Sequence, residues 1–257
     1  MTDQDKQGRE IEINVPVLAR VEGEGALDLV VRSGQIEKLH LKIFEPPRFF
    51  EKFLEGRSYQ EVPDMVARIC GICPVAYQMS AVHAIEAAFD LEITPWVRAM
   101  RRLIYCGEWL ESHSLHIHLL AAPDFLGFNN VAEMAKQHPD VVKRGLMLQK
   151  IGNDIIRMLG GRSVHPVGVK VGGFYHAPSR DEVTKLLDQI NEALPQAEQL
   201  VRWCSSLPMP EESQNFECIA LQHQSEYGMN EGRMVSTVGL DIAASEFEQE
   251  FEEQHVS

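Results

Sequence analysis

Hydrophobic and polar residues alternate along residues 10–44, and this pattern predicts a small antiparallel sheet. A period of two is typical of strands that bury one face. The alternating apolar positions fall in three groups: Ile11, Ile13, Val15 and Val17; Leu27, Leu29 and Val31; Leu39, Leu41 and Ile43. Gly23 and Gly25 separate the first two groups, and Ser33-Gly34 separates the second from the third. We therefore expect turns at these glycines.

Beyond Pro46-Pro47 the apolar residues recur mostly at a spacing of three or four, which predicts helices. A short helix with Phe49, Phe50, Phe53 and Leu54 on one face comes first, and further helices are expected at 61–69 and after Pro74, Pro95, Pro139, Ser179 and Ser245. Proline is favoured at the first helical position. Ser179 and Glu182 have the spacing of a capping box, for a helix that ends near Trp203. We expect the helix after Pro95 to reach Ala121, and the last helix to continue from Ser245 to the end of the chain.

Length and composition indicate a globular α+β protein. The chain has 257 residues, of which 44% are hydrophobic, enough for a substantial core. We predict one domain, 1–257, with a small antiparallel sheet in 1–45 and a mainly helical part in 46–257. The net charge of −14 argues against a nucleic-acid or anionic-membrane partner. No apolar run is long enough to span a bilayer. The polar N-terminus lacks the pattern of a signal peptide, so we expect a cytoplasmic protein.

Two of the five cysteines form the motif Cys70-Gly71-Ile72-Cys73, followed by Pro74. An odd, sparse set of cysteines does not indicate a disulfide framework. The helix that begins after Cys73 and the cation of Arg68 both favour thiolates over thiols. A pair of thiolates suits a soft metal. The other cysteines, Cys106, Cys204 and Cys218, are interpreted as small buried side chains.

The Cys-x-x-Cys motif alone leaves three interpretations open. A zinc half-site would need a second pair of ligands, and Cys204 and Cys218 are fourteen residues apart. His113, His116 and His118 do not share one face of a helix. A thioredoxin-like redox pair would need a βαβ context, whereas helices are predicted on both sides here. The third interpretation is the first cysteine motif of a hydrogenase.

The longer segment from Val66 to His83 resembles the first cysteine motif of [NiFe]-hydrogenase large subunits. It is most similar to the cytoplasmic, cofactor-coupled branch that includes the sulfhydrogenases. The resemblance implies that Cys70 is a terminal nickel ligand and that Cys73 bridges nickel and iron. It also implies carbon monoxide and cyanide ligands on the iron, and the family's mainly helical fold with a small N-terminal sheet. Tyr77 departs from the family pattern, in which many members have histidine.

Other segments extend this resemblance from Ile11 to Ser257. The segment Arg20-Val21-Glu22-Gly23 resembles the family's Arg-x-Glu-Gly, which implies that Glu22 relays protons; many members have histidine where Glu24 stands. Residues 48–57 resemble the segment that helps to bind a magnesium-type ion, a role that falls on Glu51. Residues 160–166 resemble a stretch near the metal site and imply that His165 lies close to it; residues 111–116 match a helix of the same family. Taken alone, Glu22 is a polar turn residue and Glu51 a surface glutamate.

The family completes its metal site with a second Cys-x-x-Cys that follows Asp-Pro. This sequence contains no such motif, because neither Cys204 nor Cys218 begins one. We therefore expect a fragment that lacks the C-terminal part of the fold. Two thiolates rarely hold nickel and iron without the full ligand set, so we expect this chain to be inactive alone.

For the complete protein the resemblance implies reversible oxidation of H2 to protons and electrons. The chain has no cysteine set for an iron–sulfur cluster, so a small subunit with such clusters would carry the electrons away. Flavin-containing diaphorase subunits would pass them to NAD(P), and maturation proteins would build the metal site. Two alternatives differ in class: a complex I-related quinone-site subunit, which normally lacks these cysteines, and a non-catalytic, zinc-stabilised helical protein.

Overall fold

A computed structural model of the chain describes residues 10–21, 23–44 and 47–252, with only the backbone at 47 and 48. The chain divides into two compact units. The first unit comprises Met1–Ser58 and His116–Val142, and the second comprises Tyr59–Leu115 and Lys143–Ser257. Helices dominate and the sheets are small and antiparallel, which confirms the predicted α+β class. No helix in the described part of the chain is both long enough and apolar enough to cross a membrane.

The predicted N-terminal sheet is confirmed in the first unit. Its strands are β1 (Glu10–Val15), β2 (Gly25–Arg32) and β3 (Gln35–Ile43), and they pair antiparallel in the order β1-β2-β3. Leu27 lies opposite both Val15 and Leu41, so the alternating apolar residues share one face of the sheet.

The other face of this sheet holds a buried charge, Asp28, which is 8% exposed. Its carboxylate accepts hydrogen bonds from Asn14 at 2.6 Å and Lys38 at 3.0 Å, and it pairs with Lys42 at 2.7 Å. The hydrogen bonds from Lys42 and Lys38 hold the pKa of the Asp28 carboxyl well below its usual range. A strand from each side of β2 therefore contributes a polar partner to this aspartate.

Short helices complete the first unit. They are α1 (Pro47–Leu54), a π-helix (His116–Ala121), α5 (Ala122–Phe125) and α6 (Val131–Gln137). We did not expect α6 from the sequence, although Asn130 caps this helix by accepting the N–H of Glu133 at 3.0 Å. Arg20 donates to the carbonyl of Asn129 at 2.9 Å and forms an ion pair with Asp124. The loop after β1 is thus attached to the segment after α5.

The second unit is built on long helices and two small sheets. The helices are α2 (Val62–Val66), α3 (Pro74–Ala88), α4 (Pro95–Leu115), most of α7 (Pro139–Gly160), α8 (Arg180–Cys204) and α9 (Phe247–Glu250), the last preceded by a 3-10 turn (Ala244–Glu246). The strands are β4 (Val169–Lys170), β5 (Gly173–Phe174), β6 (Ile219–Gln222), β7 (Arg233–Ser236) and β8 (Asp241–Ala243). The strands pair as β4-β5 and β6-β7-β8.

The core of the second unit lies between α3, α4, α7 and the β4-β5 hairpin. Its buried members are Val75, Met79, Val82, Val97, Ile104, Ile156, Leu159, Val169 and Phe174. Two glycines allow α4 and α7 to approach closely. A Cβ on Gly152 would lie 2.5 Å from the backbone oxygen of Gly107 and from the backbone nitrogen of Glu111. Only glycine therefore fits this helix crossing without displacing backbone.

The predicted starts of the long helices are confirmed. Pro74, Pro95 and Pro139 each open a helix. The capping box of α8 is formed as predicted, because Ser179 accepts the N–H of Glu182 at 3.2 Å and Glu182 accepts the N–H of Ser179 at 2.8 Å. Local signals of this kind determine where the helices of this unit begin.

The helix after Pro95 reaches Ala121 as expected, although its last part, His116–Ala121, is a π-helix. The structure corrects two other expectations. The last helix covers only Phe247–Glu250, and Phe251 is already extended; residues 253–257 lie outside the described part. A four-residue helix is marginal, and the like charges of Glu246 and Glu250 destabilise it further. Cys106 and Cys218 are exposed and Cys204 is half-buried, whereas we expected all three to be buried.

Candidate metal centre

Cys70 and Cys73 lie on the turn between α2 and α3, and both are half-buried. Cys73 is the N-cap residue of α3. The Cys70 sulfur accepts backbone hydrogen bonds from Cys73 at 3.2 Å and from Ile72 at 3.4 Å. Hydrogen bonds donated to sulfur stabilise negative charge on it. The turn therefore carries two half-buried thiols three residues apart, with two backbone N–H groups directed at the Cys70 sulfur.

Two adjacent residues, His165 and Pro166, contact the chain before and after this turn. On one flank the His165 Nδ1 lies 2.7 Å from the carbonyl oxygen of Ala67. On the other flank the Gln78 Nε2 donates to the carbonyl oxygen of Pro166 at 2.7 Å, and Gln78 is fully buried. Because a carbonyl only accepts, the Nδ1 of His165 carries the proton in this contact. Two contacts from adjacent residues thus hold the turn from both sides.

His165 has a backbone conformation that side chains other than glycine rarely adopt, with φ at 49°. A Cβ on Gly71 would lie 4.0 Å from the His165 Cε1 and 3.9 Å from the Val164 Cγ1. The His165 ring therefore faces the cysteine turn. Strained backbone of this kind persists where the surrounding contacts enforce it, and it is frequent at functional sites.

A buried carboxylate reaches the first turn of α3. Glu108 of α4 accepts the backbone N–H of Val75 at 2.6 Å and that of Ala76 at 3.2 Å. The side chain is almost fully buried, and burial raises the pKa of Glu108 to about 7 although both N–H groups lower it. Groups with a strongly shifted pKa are concentrated at functional sites, although structural networks also contain them.

A second buried carboxylate lies at the other end of α3. Glu86 pairs with Arg101 through both carboxylate oxygens, at 2.7 and 2.5 Å, and also accepts the N–H of Gly172 at 2.7 Å. Burial opposes ionisation, but the pair with Arg101 and the bond from Gly172 lower the pKa of Glu86 overall. This pair joins α3 to α4 and to the β4-β5 turn.

The other residues predicted from the sequence as site candidates are not part of this cysteine turn. Glu22 lies outside the described residues, so its predicted role stays a prediction. Glu51 is an exposed residue of α1 in the first unit. His113 and His116 are exposed, whereas His118 is fully buried. Within residues 10–21, 23–44 and 47–252, no group of three or more His, Cys, Asp and Glu side chains is placed to hold a metal ion.

We did not predict Glu108, Gln78 or the pair of Glu86 with Arg101 from the sequence. A signal for part of this set was available, since Arg101 and Glu108 follow Val97 and Ile104 at helical spacing on what becomes the buried face of α4. A charged residue on an apolar helix face indicates a buried partner. The partners themselves are distant in sequence and could not be identified from spacing.

The donors at this turn fit a soft transition metal in type but not in number. Two thiols, one accepting two N–H groups, suit nickel or another thiophilic metal. A complete site needs further ligands, because the described residues provide no third donor of the usual types beside them. The turn is therefore suited to be part of a metal site.

Comparison with known proteins gives the family. Residues 48–145 match the family model described as nickel-dependent hydrogenase. Over 189 residues the chain is 39% identical to the alpha subunit of sulfhydrogenase 2 from Pyrococcus furiosus, covering 74% of this chain and 46% of that one. Over 207 residues it is 30% identical to the large subunit of the periplasmic [NiFeSe] hydrogenase from Desulfomicrobium baculatum, covering 71% of this chain and 40% of that one.

Structural comparison agrees with the sequence comparison. The crystal structure of an NAD+-reducing [NiFe]-hydrogenase in the H2-reduced state superposes with a TM-score of 0.80 at 29% identity, covering 93% of this chain and 56% of that one. The chain thus spans about half the length of the relatives that it matches. These likenesses favour the hydrogenase interpretation over the complex I-related and zinc-stabilised alternatives. The chain belongs to the nickel-dependent hydrogenase family and is related to its large, alpha subunits.

Proposed function

We propose that this chain forms part of a hydrogenase whose nickel–iron site uses Cys70 and Cys73 as thiolate ligands. The complete enzyme would catalyse the reversible oxidation of H2 to two protons and two electrons. The observation that carries this proposal is the turn before α3, where the Cys70 sulfur accepts the N–H groups of Ile72 and Cys73. Membership of the nickel-dependent hydrogenase family supports nickel and iron as the metals of the proposed site.

Within this proposal Cys70 and Cys73 would hold the nickel–iron pair through their thiolates. The chemistry that the bound metal pair supplies is polarisation of H2, so that the molecule splits heterolytically. The iron of such a site would carry carbon monoxide and cyanide ligands. The remaining ligands come from a segment or polypeptide other than the described residues, and this chain is inactive without them because affinity needs the full ligand set.

The contribution of this chain to proton transfer is assigned to Glu22. A carboxyl group that exchanges protons with a cysteine thiolate must be held close to it. The support for this assignment is the sequence Arg20-Val21-Glu22-Gly23 and the anchoring of Arg20 to Asn129 and Asp124, which fixes the start of that loop. Glu51 is proposed as a ligand of a magnesium-type ion, in keeping with its exposed carboxylate on α1.

The proposed partner is a small subunit with iron–sulfur clusters. The relatives are named as alpha or large subunits, which implies a further subunit in each complex. Flavin-containing subunits that pass electrons to NAD(P) are proposed from the likeness to an NAD+-reducing hydrogenase. Maturation proteins would insert the metals. We place the complex in the cytoplasm, by analogy with the cofactor-coupled branch of the family.

The test is H2-dependent reduction of a viologen dye by the complex that contains this chain, purified without oxygen. Cys70→Ser and Cys73→Ser should each lower the rate by roughly a hundredfold or more, since removing one ligand disables a metal site. Cys106→Ser is the matched control, because Cys106 is exposed on α4, and it should keep the wild-type rate. Glu22→Gln should lower the rate while the nickel content is unchanged. Wild-type rates in Cys70→Ser and Cys73→Ser would overturn the proposal.

A further inference from the structure

The start of α3 lacks the usual kind of cap. The first N–H groups of a helix have no partner within the helix, and the N-cap side chain usually accepts one of them. Here the N-cap residue is Cys73, and its side chain makes no capping hydrogen bond. Pro74 has no N–H to satisfy. Val75 and Ala76 therefore provide the first backbone donors of α3, and both need an acceptor from elsewhere.

Glu108 supplies that acceptor from α4. Its two carboxylate oxygens each take one donor, Oε2 from Val75 at 2.6 Å and Oε1 from Ala76 at 3.2 Å. Glu108 is only 3% exposed. The carboxylate therefore acts as the cap of α3, the role that an Asp or Ser at the N-cap position usually has. Glu108 lies more than thirty residues further along the chain than the residues that it caps.

The position of Glu108 is fixed by the helix crossing next to it. A Cβ on the preceding residue, Gly107, would lie 2.8 Å from the Ile155 Cγ2 and 3.1 Å from the backbone oxygen of Gly152. Contact this close holds α4 against α7 and leaves little freedom along the helix axis. Glu108 thus stands on a rigid element, and its carboxylate sets where the first turn of α3 lies.

We propose that Glu108 is a positioning residue for the cysteine pair, capping α3 in place of the Cys73 side chain and so fixing the backbone that carries Cys73. This proposal rests on the proposed function. Cys73 is coupled to Cys70 through the bond between the Cys73 N–H and the Cys70 sulfur, at 3.2 Å. A shift of the first turn of α3 would therefore change the geometry of both thiols.

Burial of this carboxylate supports a dedicated role. Burial raises the pKa of Glu108 to about 7, against the opposing effect of the two N–H groups. A buried carboxyl costs stability unless its hydrogen bonds offset the loss of hydration. A neutral residue such as Leu would be the ordinary choice on this face of α4, beside Ile104 and Val97.

The first readout is amide hydrogen exchange of Val75 and Ala76 in the full chain without metal, referenced to Met79 in the same helix. Glu108→Ala should raise exchange at both amides by about tenfold, the usual effect of losing a helix cap. Glu108→Gln keeps one carbonyl acceptor, but its amino group cannot accept an N–H, so it should protect one of the two amides and release the other. Cys106→Ser is the matched control, because Cys106 is exposed on α4 two residues before Glu108; both amides should exchange as in wild type relative to Met79. Unchanged exchange in Glu108→Ala would overturn the proposal.

The second readout is the nickel content of the purified complex. Glu108→Ala should lower it severalfold and Glu108→Gln should lower it less, in step with the exchange at Val75 and Ala76, which a general loss of stability would not produce. Faster exchange with wild-type nickel content in Glu108→Ala would overturn the positioning role. If Glu108→Ala does not fold, Glu108→Asp gives the same comparison, since a carboxylate shorter by one methylene cannot reach both amides. Absence of nickel from the wild-type complex would overturn the proposed function and the positioning role together, while the exchange result would still decide whether Glu108 caps α3.

Discussion

The guanidinium of Arg101 and the carboxylate of Glu86 form a two-point ion pair in the interior of the second unit, with N–O distances of 2.7 and 2.5 Å. Arg101 is fully buried and Glu86 is 5% exposed. Each charge is held where water cannot solvate it, so each depends on the other. The pair therefore constrains how α3 packs against α4, the two helices that carry Cys73 and Glu108.

Removing one partner of this pair should be costly. Arg101→Ala leaves the Glu86 charge buried without its counter-ion, and we expect the free energy of unfolding to fall by about 3–5 kcal/mol. The measurement is chemical denaturation of the chain. Arg202→Ala is the control, because Arg202 pairs with Glu198 at 3.5 Å on the exposed surface of α8, and it should cost about 0–1 kcal/mol. Similar losses in the two variants would contradict this account of the pair.

The crossing of α4 and α7 should tolerate only glycine at position 152. Gly152→Ala would place a methyl group 2.5 Å from backbone atoms of Gly107 and Glu111. We expect a loss of about 1–3 kcal/mol from overpacking, despite the better helix propensity of alanine. Thermal unfolding of Gly152→Ala and of Lys143→Ala, an exposed position on the same helix, tests this. An unchanged or raised melting temperature in Gly152→Ala would show that the helices are not in tight contact.

The N-terminal sheet should become sensitive to acid through Asp28. Its pKa is lowered by Lys42 and Lys38, so the carboxylate favours the folded state above its ordinary pKa of about 4. That contribution to stability is lost as the pH falls through the lowered pKa that Asp28 has in the folded state. Asp28→Asn should be less stable than wild type at neutral pH, and the difference should shrink steadily below pH about 4.

Unfolding midpoints of wild type and Asp28→Asn across this pH range measure the effect. Glu37→Gln serves as the control in the same sheet, because Glu37 is an exposed partner of Arg32 at 3.2 Å, and surface pairs contribute little. A stability difference between wild type and Asp28→Asn that stays constant from neutral pH to about pH 2 would rule out the linkage.

Local signals in the sequence predicted much of the fold. Alternation located the three strands of the sheet, and Pro74, Pro95 and Pro139 located the starts of long helices. The capping box at Ser179 was formed as expected. These features depend on residues within one turn or one strand, so short-range chemistry determines them.

The site was only partly predictable, for a physical reason. Cys70 and Cys73 are three residues apart, and their motif was recognisable in the sequence. The contacts that hold them come from Glu108 and from the His165-Pro166 segment, which lie far along the chain. Such contacts depend on how helices pack, and packing is not encoded in local spacing. The left-handed backbone of His165 likewise follows from its surroundings and not from its residue type.

The central claim, that Cys70 and Cys73 are ligands of nickel and iron, is tested most directly by metal content. The complex containing this chain is purified without oxygen, and its nickel and iron are measured by mass spectrometry in wild type, Cys70→Ser, Cys73→Ser and Cys106→Ser. We predict equimolar nickel in wild type and Cys106→Ser, and a loss of nickel in the other two variants. Wild-type nickel content in Cys70→Ser and Cys73→Ser would contradict the claim and move the metal site away from this turn.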